Sequence, residues 1–263
     1  MKLRNLIASL ALMLSVALGS AQAGTIIVDE NFDSYADTAA MTAVWGGGVG
    51  TLDTAFAFSG TNSALHAGGA VNLRTDIGSV TPSTTEDLVL RGRIYDGGDV
   101  DGERLTIGLR TGAAPLFEMG HYIDGTLGIP AGSPYAIRAL SMGNGITPSP
   151  NWKPFLIGGN SISKTQGWHT YEATFSIASG LTVTLDLGSD GSIDSTLHFA
   201  GDGVTPFNNF TDLRFGGPSN SSSTSPANFD DIRLSLGNVI PEPASLALVG
   251  LMGIGLGCLR TRK

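Results

Sequence analysis

The sequence predicts an all-β domain, an antiparallel sandwich or barrel, and three observations carry that prediction. Short runs alternate apolar and polar residues, helical periodicity is almost absent, and clusters of Gly, Asp and Ser separate the runs, with Gly at 37 of 263 positions. Alternation at period two lays apolar side chains on one face of a strand, and Gly and Asp supply the backbone angles of tight turns.

Taken in order, the first strand candidates are 25–30, 55–58 and 70–77. In "LVLRGRIY", Leu88, Leu90 and Ile94 share one face while Arg91 and Arg93 point the other way, and in "ERLTIGLR", Leu105, Ile107 and Leu109 face inward. Candidates at 116–123 and 135–142 follow. The inward set is Tyr171, Ala173, Phe175 and Ile177 in "TYEATFSI", and Leu181, Val183, Leu185 and Leu187 in "LTVTLDL". Runs at 192–199 and 213–215 lead to "DIRLSL", with Ile232, Leu234 and Leu236 inward. The connections "YDGGDVDGE", "IASGL" and "GSDGSID" carry turn chemistry and predict three hairpins. Residues 143–155 contain Pro148, Pro150 and Pro154 and read as a surface loop, because Pro cannot donate to a sheet ladder. The Ser-rich stretch 216–229 reads as a flexible connector.

The two ends have their own logic. Lys2 and Arg4, an apolar run and the small residues Ala21 and Ala23 form a secretory signal, so signal peptidase is expected to cut after Ala23. This divides the chain into a signal peptide (1–23), a β-sandwich domain (24–238) and a C-terminal segment (239–263). Five of the fifteen basic residues and none of the acids lie in 1–23 and 244–263, so residues 24–243 carry ten basic against 23 acidic residues, a formal −13. Such a surface argues against a nucleic-acid partner, which needs a basic face to displace counterions. The one cysteine, Cys258, lies in the C-terminal segment, so the domain has no disulfide, and 220 residues bury a full core without one.

The C-terminal segment joins Pro241, Glu242 and Pro243, an apolar span over 244–259 and a basic tip of Arg260, Arg262 and Lys263. Sixteen helical residues reach about 24 Å, short of a hydrocarbon core of about 30 Å, which suits a temporary stop with the tip on the cytoplasmic side. In order and content the segment resembles the PEP-CTERM sorting signal of exported bacterial proteins. That resemblance implies processing near the triplet by an exosortase-type enzyme and delivery to the cell surface or extracellular matrix. The body resembles the concanavalin A-like (laminin G-like) jelly-roll sandwich, through "IIVDENFDSYAD", the hairpin series from "GWHTYEATFSI" to "GSDGSID" and "NFDDIRLSL". The resemblance implies that the first and last strands pair.

Catalytic signals are sparse. The chain has no Gly-x-Ser-x-Gly elbow, no His-Glu-x-x-His and no phosphate-binding Gly-Lys-Ser/Thr loop. Glycoside hydrolysis needs two carboxylates facing one another, and none of the six Glu residues shares a strand with a second at that spacing. Asp99, Asp101 and Glu103 cluster but read as a turn, and His66, His121, His169 and His198 are isolated in sequence. Of the three tryptophans, Trp152 in the Pro-rich stretch reads as the exposed candidate for stacking on a sugar ring, Trp168 as a core residue, and Trp45 is left open. No cofactor is called for; calcium is the one ion admitted, through Asn31, Asp33, Asp230 and Asp231 if the end strands pair. The expected function is therefore that of an exported, non-enzymatic surface or matrix protein with weak affinity for extracellular polysaccharide. The alternative is a glycoside hydrolase or lyase on the same fold.

Overall fold

Strand by strand, the alternating runs build an antiparallel β-sandwich of an eight-stranded and a six-stranded sheet, with a separate two-stranded ribbon. The structure, a computed structural model, describes residues 24–98, 104–122, 134–146, 152–217 and 222–237. Ala21 and Ala23, the triplet Pro241, Glu242 and Pro243, the tip Arg260, Arg262 and Lys263, and the Asp99, Asp101 and Glu103 cluster lie outside those residues. Among the described residues, no helix is long and apolar enough to cross a membrane.

The strands are β1 Thr25–Glu30, β2 Thr51–Asp53, β3 Ser63–Gly68, β4 Asn72–Arg74, β5 Leu88–Asp96, β6 Leu105–Arg110, β7 Leu116–His121 and β8 Tyr135–Leu140. They continue as β9 Trp152–Pro154, β10 Leu156–Ile157, β11 Asn160–Ser161, β12 Gly167–Ser176, β13 Gly180–Leu187, β14 Ser195–Phe199, β15 Asp212–Gly216 and β16 Ser222–Leu236. The larger sheet runs β14-β13-β12-β5-β16-β3-β2, with β1 also on β16, and the smaller runs β4-β15-β6-β7-β8-β9. The first and last strands do pair, from Thr25 opposite Leu236 to Glu30 opposite Ile232.

The inward sets read from the sequence meet between the sheets in one buried cluster that includes Leu90, Ile94, Ile107, Phe117, Tyr171, Phe175 and Leu234. Phe117 of the smaller sheet meets Phe175 of the larger edge-on, with ring centroids 5.0 Å apart. Each fully buried ring of this size contributes about 1.5–3 kcal/mol of transfer free energy, so such contacts hold the two layers together.

Several expectations are corrected. A short helix, α1 Thr38–Val44, starts where the Asp37 side chain accepts the Ala40 N–H at 2.8 Å and buries Met41; with seven residues it is too brief to show a period. The stretch "YDGGDVDGE" joins no hairpin, because β5 and β6 lie in different sheets. The other two hairpins form, β12 with β13 and β13 with β14. Residues 55–58 are a loop, and the strands around them are β2 and β3. Residues 63–68 escape notice because the buried positions are not the apolar ones: Ser63, Ala64, His66 and Gly68 are covered while Leu65 and Ala67 are not, so the burial alternates without an alternation of hydropathy. The candidate 70–77 shrinks to Asn72–Arg74. Two stretches read as loops contain strands: β9 pairs at the edge of the smaller sheet, where Pro154 is tolerated, and β16 begins already at Ser222.

Candidate functional site

The outer face of the larger sheet is set by strand parity. On β5, residues Val89, Arg91, Arg93 and Tyr95 alternate with the buried Leu88, Leu90 and Ile94 and so face outward. Tyr95 lies opposite Trp168 in the neighbouring β12, and Arg93 lies opposite Asp230 in β16 on the other side. A β-bulge between Asp230 and Arg233, with Asp231 at φ 47°, puts two consecutive carboxylates on this face. Bulges re-aim side chains in this way, and Asp is among the few residues that tolerate the left-handed region.

Both carboxylates hold the loop between β2 and β3 down onto the face. The Asp230 side chain accepts the backbone N–H groups of Phe58 at 2.8 Å and Ser59 at 3.0 Å, while Asp231 pairs with Arg93 and accepts the Ser59 hydroxyl. Further along the loop, Asp33 accepts the N–H groups of Thr61 at 2.7 Å and Asn62 at 2.9 Å. Gly60 between them has φ 64°, and a Cβ there would lie 1.7 Å from an Asp33 carboxylate oxygen, so glycine is favoured. Burial pushes the Asp230 carboxyl up to about 6; the N–H groups of Ser59, Asp231 and Phe58 oppose that rise, and the neighbouring Asp231 charge adds to it. The N–H groups of Thr61 and Asn62 hold Asp33 below the usual carboxylate range.

The held loop delivers two aromatic rings. Phe56 stacks on Trp168 at 5.5 Å with 14° between planes and meets Tyr95 edge-on at 4.6 Å. Phe58 meets Trp168 edge-on at 5.9 Å and carries the Arg93 guanidinium 3.8 Å above its ring. Phe56 and Phe58 remain 38% exposed, and Trp168 and Tyr95 are half-buried, so four rings form an open apolar patch. The same face continues into an open groove lined by Val89, Arg91, Glu172, Thr174, Arg233 and Ser235. From Val89 to Tyr95 the strand runs about 20 Å. An aromatic platform beside polar and charged hydrogen-bonding side chains is suited to a ligand with both apolar and hydroxyl-bearing faces.

The tryptophans exchange the roles expected of them. Trp152 is 6% exposed and packs against Tyr122 with ring centroids 3.6 Å apart, because β9 lays it on the smaller sheet opposite Arg138. It is not an exposed stacking residue. Trp168 is not in the core, because it is out of phase with the inward set of Tyr171, Ala173 and Phe175. Trp45 is fully buried and donates its indole N–H to Glu30 at 3.1 Å.

The calcium candidates divide into two pairs: Asn31 bonds Asp33 at 3.0 Å, and Asp230 with Asp231 hold Phe58 and Ser59. Among the described residues, no group of three or more His, Cys, Asp or Glu is arranged to hold a metal ion.

The histidines isolated in sequence do not remain so. His121 and His169 flank Tyr135 at 5.6 and 5.2 Å, inside the sandwich, and the Tyr135 hydroxyl donates to the buried Asp96 at 2.6 Å. His169 donates from Nε2 to the Thr165 carbonyl and accepts the Gly188 N–H at Nδ1, which fixes a neutral ring. Burial pushes His121 down to about 4, with His169 lowering it further and Asp96 opposing. The cluster is a buried polar element of the interior, held by the hydrogen bonds of Tyr135, Asp96 and His169.

No protein-family model matches the chain, and no curated protein matches it. Among solved structures, it is similar to a cellulose-induced protein, Cip1 (16% identity over 79% of this chain and 96% of that one, TM-score 0.47). It is also similar to the T. cruzi calreticulin globular domain (11% identity, 89% and 95% covered, TM-score 0.48). A third similar structure is the CBM22-1 xylan-binding domain from Paenibacillus barcinonensis Xyn10C (14% identity, 84% and 100% covered, TM-score 0.33). Every one of these TM-scores lies below 0.5, a likeness that says nothing of what this chain binds.

Proposed function

We propose that this chain is an exported, non-enzymatic protein that binds polysaccharide outside the cell through the outer face of its larger sheet. The observation that supports this reading is the patch of Phe56, Phe58, Tyr95 and Trp168 at the end of the groove over Arg91, Glu172 and Arg233. A pyranose ring has an apolar face that stacks on aromatic rings and a rim of hydroxyls that exchange hydrogen bonds with charged side chains. The acidic balance of residues 24–243 suits solubility outside the cell. The jelly-roll connectivity of the concanavalin A-like class belongs to the same reading. So does the role of 239–263 as a PEP-CTERM-like sorting signal, with signal peptidase acting after Ala23 and an exosortase-type enzyme near Pro241, Glu242 and Pro243.

The test is a glycan array probed with residues 24–238, followed by affinity electrophoresis on the best polysaccharide with the wild type and Trp168→Ala. Retardation that the variant loses at least tenfold is expected. Equal retardation of both, or release of reducing or unsaturated ends from the polysaccharide, overturns the binding-protein reading.

A further inference from the structure

The opposite side of the molecule carries a second feature, on the outer face of the smaller sheet. Strand register places Arg214, Gly108, Glu118, Arg138 and Trp152 in one row across five neighbouring strands. A Cβ at Gly108 would come 2.1 Å from the Phe117 carbonyl oxygen, so the row has a position without a side chain next to Glu118. Arg104 joins the row from just before β6, donating to Glu118 at 2.6 Å; Arg214 donates to the other carboxylate oxygen, and Arg138 stands at 3.6 Å. Among the described residues, three guanidinium groups thus surround one carboxylate in a chain of net negative charge.

The charge is desolvated as well as concentrated. Glu118 is fully buried, and Arg104 and Arg214 are 8% and 4% exposed. The Nε groups of Arg104, Arg138 and Arg214 are buried with no hydrogen-bond partner among the described residues. Burial pulls Arg214 below its ordinary range; Glu118 opposes, and the guanidiniums of Arg104, Arg110 and Arg138 pull it down further. Burial alone would raise Glu118, but Arg214, Arg104 and Arg138 together hold it below the usual carboxylate range. Aromatic rings hold the forks in place: Arg138 lies 4.7 Å from the Trp152 ring, and Arg104 lies 5.1 Å from Trp152 and 5.2 Å from Tyr122. Arg138, with a quarter of its side chain exposed, marks the side open to solvent.

Buried positive charge in excess of its counter-charge is costly, and planar guanidinium forks match a planar carboxylate. We propose that this cluster is an anion site that takes a carboxylate and, resting on the polysaccharide reading above, that of a uronic acid, separately from the aromatic face. In this arrangement Arg138 and Arg104 supply the fork, Trp152 and Tyr122 back it, and Glu118 holds the arginines together.

Calorimetric titration of residues 24–238 with sodium glucuronate, glucose and phosphate tests the site. Glucuronate is expected to bind and glucose not to. Arg138→Gln is expected to weaken glucuronate at least tenfold, and Trp168→Ala to leave it unchanged, which separates this site from the aromatic face. Glu118→Gln, if folded by circular dichroism, removes one negative charge and is expected to tighten binding several-fold. No glucuronate binding, phosphate binding alone, or an Arg138→Gln variant that binds as the wild type does would each overturn the proposal.

Discussion

Asp230 offers the sharpest energetic prediction, because burial places its titration at about 6 in the folded chain against an ordinary value of 3.8. Between those values the native state holds a proton that the unfolded chain has released, so stability falls as pH rises through the window. The stabilising contribution is whole below about pH 4 and gone above about pH 6. A gap of about two pKa units corresponds to about 3 kcal/mol. The whole-protein pH profile does not isolate this contribution, because His121 acts in the opposite sense: its value is lowered to about 4, so its contribution to stability is lost as pH falls from about 6.5. Asp230→Asn does isolate it. The variant keeps one acceptor for the Phe58 and Ser59 N–H groups and cannot ionise, so its fixed cost is the same at every pH. Urea denaturation of both proteins at pH 4 and pH 7 reads the difference. The variant is expected to gain about 2.5 kcal/mol on the wild type between the two. A difference constant within about 0.5 kcal/mol, or of opposite sign, would refute the assignment of a buried carboxylate at the root of the loop.

Two further outcomes follow from the same geometry. His121 is expected to titrate near 4, which NMR of its ring protons follows directly; a midpoint near 6.5 would contradict its burial against Tyr135. Gly60→Ala forces a side chain into the Asp33 carboxylate at φ 64° and is expected to cost about 2 kcal/mol in urea denaturation while weakening glycan retardation. A cost under about 0.5 kcal/mol would show that the loop is not held as described.

Most of the sandwich was legible because its strands bury one face and leave the other polar. β1 matches its expected bounds, and the inward sets of β5, β12, β13 and β16 are those the alternation picks out. What escaped was structure whose buried face is not apolar or that is too short to have a period: β3, where Ser63 and His66 are fully covered while Leu65 and Ala67 are not, and α1, a helix of seven residues. The candidate site was half legible. Trp168 stands at an odd step from Tyr171, Ala173 and Phe175, so its outward direction was present in the alternation but was overridden by the expectation that a strand-opening tryptophan packs inside. Phe56 and Phe58 read as a strand because they alternate, whereas their order comes from Asp230, 172 positions away from Phe58. Contacts across that span depend on the end strands meeting, and no local pattern reports them. Trp152 misled for the reverse reason: prolines around it signal a loop, while an edge strand accepts Pro154 and takes the ring into cover.

The central claim is that polysaccharide is bound on the face carrying Trp168, and the three tryptophans make one measurement sufficient. Each contributes a single indole N–H signal in an NMR spectrum of the 15N-labelled domain, and Trp45 and Trp152 are buried away from that face. On titration with the neutral polysaccharide fragment that binds best on the array, the account predicts that the Trp168 signal shifts progressively to saturation while those of Trp45 and Trp152 stay in place. Saturable binding that moves Trp152 and leaves Trp168 unmoved would contradict it.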